Sequence, residues 1–501
     1  MTVSWSWAIE MYLSGSWVDV SADVLRRDPI EGDEGINGIG PNYHIAGSGS
    51  LSFYLDNGES NSAGLLGYYA PGHTNCRTGF ARGAAVRVKF TYGARIEYFK
   101  YYITMISPTP GQFRERKTHV VAADYMYKLS LMKLKGVNVQ VNQRPDQVVD
   151  TVIGSLAEPP EIESYQTEPF TTFEYSLHGE KDEKSTIMNV LTKVVSSSGG
   201  YIFKKSDATK GETLVYEHRL ARYDRAVLAA FDNDMSSISV EWNDEDVIDG
   251  VRLTYNPGRV DETDVVLGSI PDEITLAAGE TRKIELRLRD PNGLATRVSA
   301  ISYADLVAGT DYKFSSVSGD GGSDLNASLG ITPNTDSSNV FSAIVVNNSS
   351  VTGYLNLFQK RGKAIYLYES LDVLAGVDTP VNELSYEMPY VANYYVAVSF
   401  CDMLETRGSD TTSPRVGEVG FYADASDTMM GWFLDGVPGQ PFTTTETATG
   451  LSTKKFFIQF RKFKIHKGIL WVEWLGEPAE TITYLHLDTV GETLDSTYVL
   501  A

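Results

Sequence analysis

Between Ser185 and Arg219 the hydrophobic period changes from that of a helix to that of a strand, which fixes a compact unit in the middle of the chain. Ile187, Met188, Val190, Leu191, Val194 and Val195 recur at three- and four-residue spacing, so one helical face is continuously apolar. Gly199 and Gly200 stop that helix. Tyr201-Ile202-Phe203 and Thr213-Leu214-Val215-Tyr216, separated by a polar turn from Asp207 to Gly211, predict a hairpin packed on it. The long regions on either side read as β.

Before this unit, Val3, Trp5, Trp7 and Ile9 alternate with Ser4, Ser6 and Ala8, the period of a strand with one buried face. Ser14-Gly15 predicts a tight turn into Trp17-Val18-Asp19-Val20, and a Gly-rich polar connection follows from Asp28 to Pro41. Leu51 to Leu55 ends at Asp56-Asn57-Gly58, a turn signal. Val86 to Tyr92 alternates and turns at Gly93 into Ile96 to Ile106. This many antiparallel strands in so short a stretch predict a barrel or sandwich.

Pro145 suits the first position of a helix, because its missing N–H would be unpaired there anyway, and Val148, Val149, Val152, Ile153 and Leu156 form its apolar stripe. After Asp261 the chain is rich in Ser, Thr, Asn and Gly. Strands are predicted near Ile274, Ile284 to Leu288, Tyr312 to Phe314, Phe341 to Val346 and Tyr354 to Phe358, at the spacing of an immunoglobulin-like sandwich. Tyr394, Ala397, Val398, Cys401 and Leu404 fit a helix that buries Cys401.

Near the C-terminus Phe456, Ile458 and Phe460 share a face out of phase with Phe463 and Ile465, which predicts a bulge at Arg461-Lys462. Lys454, Lys455, Arg461, Lys462, Lys464 and Lys467 bring six positive charges with no acid among them, in a chain whose formal net charge is -22. Such a row needs compensation, either from acidic faces of neighbouring subunits or of this chain's own Asp232 to Asp249 run, or from DNA in a channel, and Lys462, Lys464 and Lys467 are expected at or near a subunit or ring interface with carboxylate partners. The strong acidity favours the first. Asp232, Asp234, Glu241, Asp244, Glu245, Asp246 and Asp249 form an acidic run without the spacing of a calcium loop, and Asp244, Glu245 and Asp246 are the candidate counter-charges.

At 501 residues the chain exceeds what one core supports, and 29 Tyr, 20 Phe and 7 Trp suit half-buried sheets. The acidity excludes general nucleic-acid binding. Cys76 and Cys401 are too few for a disulfide framework and are expected as thiols. The start, Met1-Thr2-Val3-Ser4-Trp5, lacks a signal-peptide pattern, and no run has the length of a membrane span, so cytoplasmic synthesis without stable membrane insertion is expected. His218-Arg219, His73 with Cys76, and Cys401 lack the partners of a catalytic or metal site. No enzyme motif is present, so no enzyme activity, cofactor or metal is expected.

One resemblance rests on motif order: Trp17-Val18-Asp19-Val20, Leu55-Asp56-Asn57, Tyr69-Ala70-Pro71-Gly72 and Gly83-Ala84-Ala85-Val86-Arg87-Val88, then Gly199 to Phe203 with Leu214 to Arg219, Arg361 to Ile365 and Tyr484 to Asp488. This succession resembles the tail-tip (baseplate) hub proteins of long-tailed bacteriophages, although Tyr484 stands where that family is expected to carry Trp. The resemblance implies a multidomain, mainly β chain. Its parts would be a tube-like β domain (1–125), an α+β domain (126–222), a second tube-like domain (223–260 plus 377–501) and an inserted immunoglobulin-like sandwich (261–376). It also implies a homotrimer in the virion tail tip that contacts a distal tail protein or the last tail tube ring, the tape measure protein and tail fibre or tip proteins, and that lets phage DNA pass. Gly83 to Ile106 and Gly436 to Ile465 both carry a strand, a Gly-containing turn and a basic alternating strand, a faint internal echo. The competing readings are a carbohydrate-binding or glycan-hydrolysing multi-β protein and a cell-surface adhesin.

Overall fold

The N-terminal alternation forms the strand β1 (Trp5–Leu13), which buries Ile9, Met11 and Leu13. Ser14 and Gly15, at φ 50° and 89°, make the two-residue turn whose twist matches a hairpin. The strand Ser16–Asp19 answers it. The computed structural model describes residues 3–479 apart from 39, 41–42, 111–115, 136, 181–183, 242–246, 320, 336 and 410–413, together with 484–485 and 499–500.

Strands outnumber helices throughout the chain. The largest sheet has 13 strands and is built twice over from one pattern. The first set is β1, β2 (Ile30–Gly35), β3 (Ser50–Asp56), β4 (Ala85–Tyr92), β5 (Arg95–Thr109) and β6 (Lys117–Ala123). The second is β7 (Ala229–Asp232), β8 (Ser237–Glu241), β9 (Arg415–Tyr422), β10 (Pro441–Glu446), β11 (Leu451–His466) and β12 (Ile469–Pro478). Across the sheet they run β1-β4-β5-β6-β3-β2 and β7-β10-β11-β12-β9-β8, the same order by chain position. Four of the five pairings are antiparallel in both sets. The edge pair differs, since β1 meets β4 antiparallel and β7 meets β10 parallel.

The correspondence extends to single residues. Register shifts between Ile103 and Met105 on β5 and between Ile458 and Phe460 on β11. Gly83 (φ 84°) donates its N–H to Ile103 O at 2.7 Å, and Gly439 (φ 85°) donates to Ile458 O at 2.7 Å. Ile103 and Ile458 return bonds to Ala84 O and Gln440 O, both at 2.9 Å. The bulge expected at Arg461-Lys462 therefore lies earlier, at Gln459. The reason is visible in the burial: Arg461 is inside with Phe463 and Ile465, and Phe460 faces the other way. A buried arginine disguised the phase.

The two sets join where β2 pairs with β11, from Ile30 opposite Ile465 to Gly35 opposite Phe460. The Gly-rich connection expected there is thus a strand. Its glycines are used sterically, because a side chain at Gly32 would overlap the Phe463 ring. Behind this seam Phe90, Phe99, Phe433 and Phe463 interlock, with ring centroids of 4.9 Å (Phe90 to Phe433) and 5.1 Å (Phe99 to Phe463), so both sets share one core.

The helix Ile187–Ser198 ends on Gly199 at φ 69° and packs with the hairpin Tyr201–Lys205 and Thr213–Glu217, as the period change predicts. The parallel third strand, Ile162–Tyr165, carries no clear sequence signal. The helix Pro145–Gly154 buries Val148, Val149, Val152 and Ile153 in the same core. Further on, Gly258–Ser269, Ile274–Leu276, Thr281–Arg287, Arg297–Tyr303, Tyr312–Val317, Val340–Asn347 and Gly353–Leu367 are among the strands of two sheets around a separate core.

The expected boundary at Gly376 is corrected. Leu371–Gly376 pairs with Gly250–Tyr255, which also pairs with Glu383–Met388. The helix Tyr394–Gly408 covers this small sheet and buries Cys401 against it. These residues form their own layer and do not join the large sheet, because their apolar faces are satisfied by that helix.

A shared aromatic core makes the two strand sets one cooperative unit. Phe433→Ala should cost about 3–5 kcal/mol and expose amides of residues 85–106 and 441–475 together in hydrogen exchange. Protection surviving in one set alone would refute the shared core.

Candidate functional interface

The seam is built around a charge that sequence reasoning missed. On β2, Gly32 and Glu34 face inward and Glu31 and Asp33 outward. Glu34 is fully buried, and a buried carboxylate is costly unless paired. Arg461 stands opposite it on β11, with Nε donating to Oε1 at 2.9 Å and Nη2 also reaching that oxygen. Lys204 Nζ donates to Oε2 at 2.7 Å, and the Ser206 N–H to Oε1 at 3.2 Å. Arg461 also donates to Phe433 O at 3.1 Å and lies 4.6 Å from the Phe99 ring centroid. The network ties β2, β11 and the central hairpin together.

Burial by itself would raise the Glu34 pKa, but Arg461 and Lys204 outweigh it and hold the carboxyl below its ordinary range. Nearby acids with fewer cations go the other way. Burial raises Asp33 and Glu97, and it pushes Asp124, which caps the helix Tyr125–Leu131, up to about 7.

The outer face of the same seam carries the remaining charges. Lys464 pairs with Glu31 at 2.8 Å and Lys462 with Glu473 at 3.5 Å. Half of the basic row is therefore compensated within the chain, by acids of β2 and β12. Arg461 is corrected as an interface candidate, since its side chain is 1% exposed. Lys454 and Lys467 are exposed, Lys467 in the turn before Gly468 at φ 53°. The Lys455 ammonium sits 5.6 Å from the Phe457 ring centroid. Asp244, Glu245 and Asp246 lie outside the described residues, as do His486, Leu487 and Asp488.

The discounted chemical candidates stay apart. Cys401 Sγ points to Val251 O at 3.5 Å, and burial pushes its thiol up to about 11. Burial lowers the His218 pKa. Cys76 follows His73 through a backbone turn, Cys76 N–H to His73 O at 3.0 Å. Among the described residues no cluster of three potential metal ligands occurs, and no helix is long and apolar enough to cross a membrane.

No protein-family model matches the sequence, and no curated protein matches it. Solved structures do. A tail protein from Neisseria meningitidis MC58 is 10% identical, with 94% of this chain and 97% of that chain covered and a TM-score of 0.48. The 43 kDa tail protein of prophage MuSo2 from Shewanella oneidensis is 10% identical, with coverage of 94% and 98% and a TM-score of 0.47. A component of the type VI secretion system of E. coli is also 10% identical, with coverage of 92% and 74% and a TM-score of 0.40.

Removing Glu34 would leave two buried cations without their anion. Glu34→Leu should therefore cost about 3–5 kcal/mol, and adding Lys204→Met and Arg461→Met should recover most of it in urea titrations. A triple variant no better than the single one would refute the pairing.

Asp124 gives a pH dependence of opposite sign to that of Glu34. Its folded pKa of about 7 lies above the ordinary 3.8, so the folded state holds the proton longer and stability falls as pH rises between those values. Asp124→Asn keeps the cap and should reduce that slope, to which Asp33 and Glu97 also contribute, making the variant the more stable protein at pH 8. An unchanged slope would locate it elsewhere.

Proposed function

We propose that this chain is a structural subunit of a phage tail tip or baseplate hub. The observation that carries the reading is the internal duplication, because two copies of one six-strand pattern stand side by side in a single sheet. Three chains then supply six such units to a six-fold tube, and closed cyclic symmetry is the common solution for such assemblies. The motif order supports the same reading.

In this proposal the strand sets β1–β6 and β7–β12 are the two tube-like domains, residues 126–222 form the α+β domain between them, and an immunoglobulin-like insert projects outward. The trimer closes the distal end of the tail, meets a distal tail protein or the last tube ring, receives the tape measure protein and tip or fibre proteins, and forms part of the path for DNA. It works as a scaffold with no turnover of substrate. Native mass spectrometry should find three chains, whereas a stable dimer or a ring of six would overturn the reading. Turnover of peptidoglycan or polysaccharide would favour a glycan hydrolase.

The insert should be dispensable for assembly. Tyr255 and Leu371, which flank it, are register partners in one antiparallel pair, so a two-residue Asn-Gly turn can replace residues 256–370. The shortened chain should fold and assemble with the same number of copies. Loss of assembly with retained folding would make the insert architectural.

A further inference from the structure

We infer that a second copy of this chain docks edge to edge along β5, presenting its own β8. Within the chain, one side of β11 is covered by β12, and the other side is shared by β10 over residues 451–457 and by β2 over residues 460–465. On β5 the equivalent arrangement is half complete. β6 covers one side and β4 pairs with residues 95–102 of the other, but among the described residues no strand covers Met105–Thr109 there. Met105 is 44% exposed. The equivalent of β2 in the second strand set is β8, which pairs with β9 and, among the described residues, has no strand on its outer edge.

The pattern therefore has one unfilled edge and one unused strand. β8 cannot fill its own chain's edge in this structure, because the two belong to different strand sets at separate places in the sheet. A second copy can. Repeating the β2-to-β11 step between chains gives a head-to-tail contact, and contacts of this kind close into rings when the rotation allows.

The residue correspondence fixes the register. Met105 and Phe460 are the first residues past their bulges, so Ser107 corresponds to Lys462 and Thr109 to Lys464. Phe53 opposite Val120 corresponds to Val419 opposite Trp474, which makes Glu31 the counterpart of Ser239 and Asp33 that of Glu241. The observed pairs Asp33 with Lys462 and Glu31 with Lys464 then become Glu241 with Ser107 and Ser239 with Thr109 between copies. Pro108 leaves an acceptor and no donor on the open side, so the proposed contact has one ladder bond fewer at that position than a strand without proline would make. The incoming strand supplies the donor at that position.

The inference takes only the number of copies from the ring reading above. The test is disulfide trapping in the full chain with Cys76→Ser, Cys401 being buried. Ser107→Cys with Glu241→Cys should cross-link between chains on mild oxidation, and neither single variant should. Asp33→Cys with Lys462→Cys is the control, expected to close within one chain. Native mass spectrometry then separates the claims. Closed species with one disulfide per chain support the contact, and a size other than three would overturn the trimer alone. Assemblies that form without cross-linking would overturn the contact and leave the ring. A chain that stays monomeric and uncross-linked at high concentration would overturn both.

Discussion

The buried carboxylate of Glu34 is the constraint on which this architecture turns. A single charge in an apolar core is paired or it is not tolerated, and here its partners come from two distant parts of the chain: Arg461 on β11, and Lys204 and Ser206 on the central hairpin. Replacing such a network with apolar residues can be neutral for stability. What it contributes is choice of partner, because only one register of β2 on β11 brings Glu34 opposite Arg461. A slip of β2 by one residue would turn Glu34 to the opposite face, away from Arg461.

That register places two copies of one strand pattern in a continuous sheet. Each copy has the same place for a neighbour, on the far half of its long fifth strand beyond the bulge. The neighbour is β2 in one copy, and among the described residues no strand stands there in the other. Among the described residues, a chain built this way is paired at one joint and open at the next. The bulges at Thr104 and Gln459 bend the long strands where they change partners, as bulges commonly do beside special sites.

Other parts of the chain are decoupled from that sheet. The layer formed by Gly250–Tyr255, Leu371–Gly376, Glu383–Met388 and the helix Tyr394–Gly408 has its own apolar core, and so do the two sheets between residues 258 and 367. They pack on the α+β unit, where Val139 and Tyr175 share a buried cluster with Ile365 and Leu367, Tyr390 joins the core of the central helix, Tyr175 Oη donates to Asn256 O and Ser299 Oγ donates to His178 O. An inserted unit whose flanking strands are already paired can change length or identity without disturbing the sheet.

Local pattern was enough for much of this. The helix stop at Gly199-Gly200, the turn at Ser14-Gly15, the helix opened by Pro145 and most strands follow from short-range periodicity, which acts within a few residues and is written in them. The basic row between Lys454 and Lys467 was legible as a row, but its division was not. Whether Arg461 is a surface cation or the buried partner of Glu34 depends on a residue 427 positions away. The same holds for β2, whose glycines read as a loop until the Phe463 ring above Gly32 shows why they are needed. The strand order shared by the two halves is likewise a property of pairing, and pairing is decided by which faces and edges tertiary packing brings together. The sequence by itself determined most of the elements; the tertiary structure decided the glycine-rich β2 and the partners of all of them, because burial and charge compensation act between residues that only the fold makes neighbours.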